Sequence, residues 1–341
     1  MSIWWHDPGA YRRSAPHRQD QDGPGRSDQA VRGRQLLHRS SVSGLDVLCI
    51  QNAATSREYL GMPHEIEVTE GPKRRVVVVG GGPGGMEAAR VAAERGHEVT
   101  LFEAAEQLGG QITIAAKAPQ RDQIAGITRW YQLELARLGV DQRLGTRADE
   151  ATILDLRPDV VVLATGGRPF LDQHEEWGYD EDPDKSLVVS TWDVLEGRVE
   201  PGKNVLIYDT ICEFSGVSAA DYLADKGAKV EIVTDDIKPG SAVGGTTFPT
   251  YYRSLYEKEV IMSSDLGLHK VYREGESLVA VLENEYTGAQ EERVVDQVVV
   301  ENGVRPMRRS TMPQAPVAQQ GSGGPRSALR RSATTLPVGG R

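Results

Sequence analysis

What this chain of 341 residues has little of narrows it first. Its cysteines are two, Cys49 and Cys212. That is too few for a disulfide framework, so a reducing compartment is expected. No run of roughly 18 apolar residues occurs, which excludes an ordinary membrane-spanning helix. No apolar core of the secretory-leader kind stands near the N-terminus, so a cytoplasmic protein is the expectation. Positive charge is short as well: 39 Lys and Arg stand against 49 Asp and Glu, a net charge of −10. This balance argues against nucleic acid as a partner. The deficit is uneven. Residues 1–44 hold seven arginines, four aspartates and no lysine, and residues 307–341 hold six arginines and no acid. Both ends are rich in Arg, Ser, Pro, Gly and Gln and lack apolar periodicity, so they read as disordered tails. The acidic excess belongs to the middle, where there is length enough for two domains.

That middle is organised around residues 76–103. Val76 to Val79 is a run of four β-branched residues without polar alternation, which suits a parallel strand covered on both faces. Glycines follow at once. Gly80, Gly82 and Gly85 fit G-x-G-x-x-G, with Pro83 and Gly84 between them. The first allows the tight turn, the second lets backbone approach a pyrophosphate, and the third lets helix and strand pack closely. Met86–Arg95 is Ala-rich and helix-forming, so its N-terminus directs dipole and free N–H groups toward phosphate. A second strand, Glu98–Phe102, ends in Glu103, about 20 residues past the glycines, where a carboxylate holds a ribose hydroxyl. An acid there favours FAD or NAD over NADP. The plain alternative is a βαβ unit without a ligand.

Further along, Arg121–Leu138 reads as an amphipathic helix with Ile124, Ile127, Trp130, Tyr131, Leu133, Leu135 and Leu138 on its apolar face. Asp159–Leu163 is another buried strand, ending in the small-residue turn Ala164-Thr165-Gly166. Residues 170–200 are acidic and loop-like. Asn204–Asp209, Ser218–Lys226 and Lys229–Thr234 form a second strand–helix–strand unit. Its turn, 209–216, has one glycine where the first has five, and Glu213 and Phe214 would repel and crowd a pyrophosphate. A unit kept for structure or docking is therefore favoured over an NAD(P) site, and Cys212 reads as a packed small hydrophobe. Alternating strands at Leu268–Arg273, Ser277–Glu283 and Glu291–Val295 suit a β-meander, and Asp296–Pro306 reads as a return strand.

The run Cys49-Ile50-Gln51-Asn52-Ala53-Ala54, the glycine motif with Leu108-Gly109-Gly110-Gln111, and Ala164-Thr165-Gly166-Gly167-Arg168-Pro169 resemble a known family. It comprises the multidomain flavin oxidoreductases related to old yellow enzyme: 2,4-dienoyl-CoA reductases, trimethylamine dehydrogenases and N-methyl-amino-acid demethylases. The resemblance covers about residues 45–306. It implies an α/β fold of two nested Rossmann-like domains, a glutathione-reductase-like FAD domain with an inserted NAD(P)-like domain, here truncated. Residues 45–72 are then a linker from a missing FMN barrel, 73–170 the FAD- or ADP-binding domain, 171–295 the inserted domain, and 296–306 the return. Gly109, Gly110, Gln111, Ala164, Thr165 and Gly166 would join Gly80, Gly82, Pro83, Gly84, Gly85 and Glu103 along the cofactor. Cys49 matches the last ligand of the family's 4Fe-4S cluster, but a cubane needs about four thiolates. FMN and the cluster are thus expected in intact relatives only, and Cys49 is expected to be a free thiol.

The resemblance also gives the ends a second reading. Read one nucleotide later, suitable codons for residues 30–42 yield a family-like string with two cysteines, and residues 315–321 yield another. Segments 1–44 and 307–341 are then out-of-frame products, and the flavin domain's closing glycine–aspartate segment is missing. The resulting expectation is the electron-transfer module of an FAD-dependent oxidoreductase, a fragment leaning toward amine or N-methyl-compound demethylation. The alternative is a non-catalytic adenine-dinucleotide-binding fragment or pseudogene product. No catalytic acid, base or nucleophile is visible, no membrane is involved, and a homo-oligomer is compatible.

Overall fold

The structure, a computed structural model, describes Cys49 and residues 52–172, 174–180 and 185–307. The readings of 1–44 and 307–341 as disordered or out-of-frame fall almost wholly outside these residues. The first unit runs β1 (Arg75–Val79), α1 (Pro83–Glu94), β2 (Glu98–Phe102), α2 (Gln111–Ala115), α3 (Ala125–Arg137), β3 (Asp141–Arg143), α4 (Glu150–Asp155) and β4 (Val160–Leu163). Its four strands are parallel, in the order β3-β2-β1-β4. The valine run of β1 is buried from both sides, as its composition requires. Val76 and Val78 pack with Met86, Ala89, Tyr131 and Leu135 of α1 and α3. Val77 packs on the other face with Phe102 and Ile153. The expected face of α3 needs one correction. Leu133 is 57% exposed, whereas Thr128, Tyr131, Glu134 and Leu135 are buried. The helical period places 128, 131 and 135 on one stripe and turns 133 away from it. Helix α4 had no apolar-period signal; Asp149 starts it, accepting the Thr152 amide at 2.8 Å.

The chain continues through β5 (Gly167–Pro169), β6 (Val188–Ser190), α5 (Thr191–Glu196), β7 (Asn204–Asp209), α6 (Phe214–Asp225), β8 (Lys229–Val233), α7 (Phe248–Glu257), β9 (Ile261–Ser263), β10 (Leu266–Glu274), β11 (Ser277–Asn284), β12 (Gln290–Val295), β13 (Gln297–Glu301) and β14 (Val304–Pro306). The second sheet is parallel, in the order β6-β13-β7-β8-β9. One face carries α6 and α7, through Val205, Ile207 and Val299 against Val217, Leu223 and Leu255. The other carries the antiparallel meander β10-β11-β12, through Leu206, Val298 and Val300 against Leu268, Ala280 and Leu282. Trp177, from the stretch read as an acidic loop, is buried under this meander and donates its indole N–H to the Leu268 carbonyl at 2.9 Å.

The return strand read over 296–306 is thus corrected. Gln297–Glu301 is an interior strand of the second sheet, between β6 and β7. Only Val304–Pro306 turns back, antiparallel to β5. The reason is burial: Val298, Val299 and Val300 are apolar toward both faces and take a position covered on both. Beyond this ribbon, the units touch where the Lys117 ammonium donates to the Glu196 carbonyl at 3.4 Å and the Gln120 amide to Asp221 at 3.5 Å.

Candidate dinucleotide site

The site is built at the carboxyl ends of β1 and β4, where an open α/β sheet offers its crevice. The Gly80 amide is tied to the Phe102 carbonyl at 2.8 Å, and the Gly81 carbonyl accepts the Gly109 amide at 2.9 Å. Gly80 has φ +109°, and a Cβ on it would stand 2.3 Å from the Ala164 carbonyl oxygen. A Cβ on Gly85 would stand 1.8 Å from the Gly80 carbonyl oxygen. A Cβ on Gly81 would lie 2.4 Å from Leu108 and 2.9 Å from the Glu103 carboxylate. Gly80 and Gly85, which meet backbone, are demanded by the fold itself, and Gly81 is crowded by side chains. Gly82 and Gly84 are not: a Cβ on Gly82 would meet only the Gly110 Cα at 4.0 Å, and one on Gly84 would meet nothing within 4 Å. Their openness lies at the start of α1, whose first amides have no partner inside the helix. Gly82 caps that helix in an extended conformation and Pro83 opens it, both favourable there.

The Glu103 carboxylate braces the turn. Its Oε2 accepts the Gly81 amide at 2.6 Å and its Oε1 the Ala105 amide at 2.8 Å. The next turn crosses close by. Gly110 has φ +50° and packs so near Gly82 that a Cβ would lie 3.0 Å from the Gly82 Cα. Gln111 opens α2, and its side-chain amide approaches Gly166, where a Cβ would lie 3.8 Å away. Ala164 is fixed by its amide on the Val79 carbonyl at 2.8 Å. The structure therefore gathers Gly80, Gly82, Pro83, Gly84, Gly85, Glu103, Gly109, Gly110, Gln111, Ala164, Thr165 and Gly166 around one crevice. It keeps Cys49 apart, in the segment before β1. The sequence reading gave no separate role to Gly81, which packs on Leu108, or to Thr128, which lies under Gly109. That the first x of the G-x-G-x-x-G pattern is itself glycine was the available signal for Gly81. On the far side, Gln111 also lines a cavity of about 120 Å³ between the two units, facing Trp192, Phe214 and Ser215.

No group of three or more His, Cys, Asp or Glu side chains that could hold a metal occurs among the described residues. No helix among the described residues is long and apolar enough to cross a membrane.

The chain belongs to the pyridine nucleotide-disulphide oxidoreductase family, whose pattern matches residues 74–326. It is 83% identical over 284 residues to an N,N-dimethylglycine/sarcosine dehydrogenase of Chromohalobacter salexigens, covering 82% of this chain and 41% of that one. It is 41% identical over 259 residues to a probable N-methylproline demethylase of Rhizobium meliloti, covering 76% of this chain and 37% of that one. Among solved structures, a 2-naphthoyl-CoA reductase in complex with 2-naphthoyl-CoA matches with TM-score 0.67 and 27% identity, over 78% of this chain and 38% of that one. The chain thus spans about two fifths of the length of these relatives. It is a flavin- and dinucleotide-type oxidoreductase module related to demethylating dehydrogenases, as its motifs implied.

Proposed function

We propose that the crevice at residues 80–111 and 164–166 holds FAD through its ADP portion. On this reading the chain is the electron-transfer part of a longer oxidoreductase acting on N-methylated amines. The observation that carries the reading is the split among the glycines. Gly80 and Gly85 are required by packing against backbone, whereas Gly82 and Gly84 have room for a Cβ, at a helix N-terminus suited to a diphosphate. Glu103, held by two turn amides, keeps lone pairs for a ribose diol and offers no cation for a 2′-phosphate. The relatives named above supply the substrate class. A bound FAD supplies two-electron chemistry; this chain's residues bind and orient it and keep its diphosphate against backbone amides. The experiment is titration of the full chain with ADP and with FAD, followed by the same titrations on Gly82→Val. Binding of both ligands to the wild type, lost in the variant, is the expected result. Unchanged affinity in Gly82→Val removes this crevice as the site.

A further inference from the structure

The family is named for a pyridine nucleotide, and the second βαβ unit is where a doubly wound sheet would hold one. The two units share a plan. Each has a parallel strand, a turn, and a helix whose glycine packs against the first residue of the turn. In the first unit that pair is Gly85 on Gly80; in the second it is Gly216 on Asp209, where a Cβ would lie 2.1 Å from Asp209 Oδ2.

The chemistry of the turn is reversed. Where the first unit has a glycine, the second has a carboxyl group with no exposed surface. Asp209 Oδ1 accepts the Ile211 amide at 3.0 Å and the Cys212 amide at 2.9 Å. Its Oδ2 is buried without a hydrogen-bond partner and lies against Gly216. The oxygen acceptor that the turn amides would find in a phosphate is therefore already present, covalently attached. The turn is also closed at Cys212, which holds φ +53° and is buried with its Sγ 3.0 Å from the Thr234 hydroxyl. The neighbouring strand adds a second acid. Glu301 is the register partner of Asp209, buried, and accepts hydrogen bonds from the Thr191 hydroxyl and the Gly303 amide. A diphosphate placed here would meet two buried carboxyl groups, a blocked pair of amides, and Glu213 at the cap of α6.

We propose that the second βαβ unit is closed by its own side chain: the Asp209 carboxylate occupies the phosphate position of the turn, and the unit holds no pyridine dinucleotide. The inference stands apart from the reading of the first crevice, and one set of measurements separates them.

Calorimetric titration of the full chain with ADP, NADH and NADPH counts the sites. At most one equivalent of each per chain is expected, and that equivalent is lost in Gly82→Val. A second equivalent of NADH or NADPH, or NADH binding that survives Gly82→Val, overturns the closure and leaves the first crevice standing. Absence of binding by every ligand upholds the closure and overturns the first crevice. A measurement on the wild type alone guards against a misfolded variant. Under saturating NADH, the amide resonances of Ile211, Cys212 and Gly216 stay in place; their displacement in step with NADH occupancy overturns the proposal.

Discussion

The Glu103 carboxylate takes the Gly81 amide at 2.6 Å and so ties the end of β2 to the turn after β1. The residue thus has two tasks, bracing the glycine turn and presenting oxygen to whatever lies in it. Glu103→Ala leaves the Gly81 and Ala105 amides without their acceptor. Hydrogen bonds to charged groups contribute about 1.5–3 kcal/mol, so ADP affinity is expected to drop roughly 10- to 100-fold. Glu103→Gln keeps one acceptor oxygen and lies between. Calorimetry on the three proteins checks the order; equal affinities would show that the carboxylate serves neither task.

The two kinds of glycine predict opposite phenotypes. Gly85→Ala drives a methyl into the Gly80 carbonyl, against backbone that cannot move aside, and should destabilise the fold by several kcal/mol, on the order of 3–5. Gly82→Val meets open space in an ordinary extended conformation and should change stability by less than about 1 kcal/mol while removing ligand binding. Urea midpoints beside ligand titrations test the contrast, which fails if Gly82→Val unfolds as readily as Gly85→Ala.

Asp209 makes stability depend on pH. Burial raises its carboxyl to about 7 from an ordinary 3.8; the Cys212 and Ile211 amides oppose that rise, and Glu301 and Asp235 add to it. Between about pH 4 and 7 the folded chain therefore holds a proton that the unfolded chain has released. Stability falls as pH rises through that window and levels above it. Asp209→Asn removes this slope and leaves a smaller one from Glu301, which burial also raises. At about pH 8 the variant should be more stable than the wild type by roughly 2–4 kcal/mol, taking about 1.4 kcal/mol per unit of pKa. Thermal midpoints from pH 4 to 8 decide it; a wild-type profile flat across the window would reject the assignment.

Leu133 and Leu135 lie two residues apart on α3, and their substitutions should differ sharply. Leu135 is fully buried among Val76, Met86 and Leu101, so Leu135→Ala is expected to cost about 2–5 kcal/mol. Leu133 faces solvent, and Leu133→Ala should stay within about 0.5 kcal/mol. Chemical denaturation of both variants measures the difference, and comparable losses would contradict the placement of the helix face.

Most of the first unit was legible in the residues. A four-valine run can be buried only as a covered strand, G-x-G-x-x-G after it can make only a few turns, and Glu103 follows at a fixed distance. Strand–helix alternation then set the parallel order, and the small residues at 108–111 and 164–166 marked where backbone comes close to backbone. All these signals are local, in period, in spacing and in the absence of a Cβ. What the residues left open depends on contacts distant in sequence. The sheet that takes Gln297–Glu301 is chosen by which faces are covered, since three valines satisfy either sheet equally. Leu133 is apolar but falls off the stripe that α1 and β1 leave for α3. Trp177 is buried only because the meander, 91 residues further on in the case of Leu268, folds over it. Asp209 reads as one more polar residue at a strand end. It becomes a buried carboxyl group spanning two turn amides only when β7, β13 and α6 are packed around it, because a carboxyl's charge state and partners are set by the surfaces that exclude water from it.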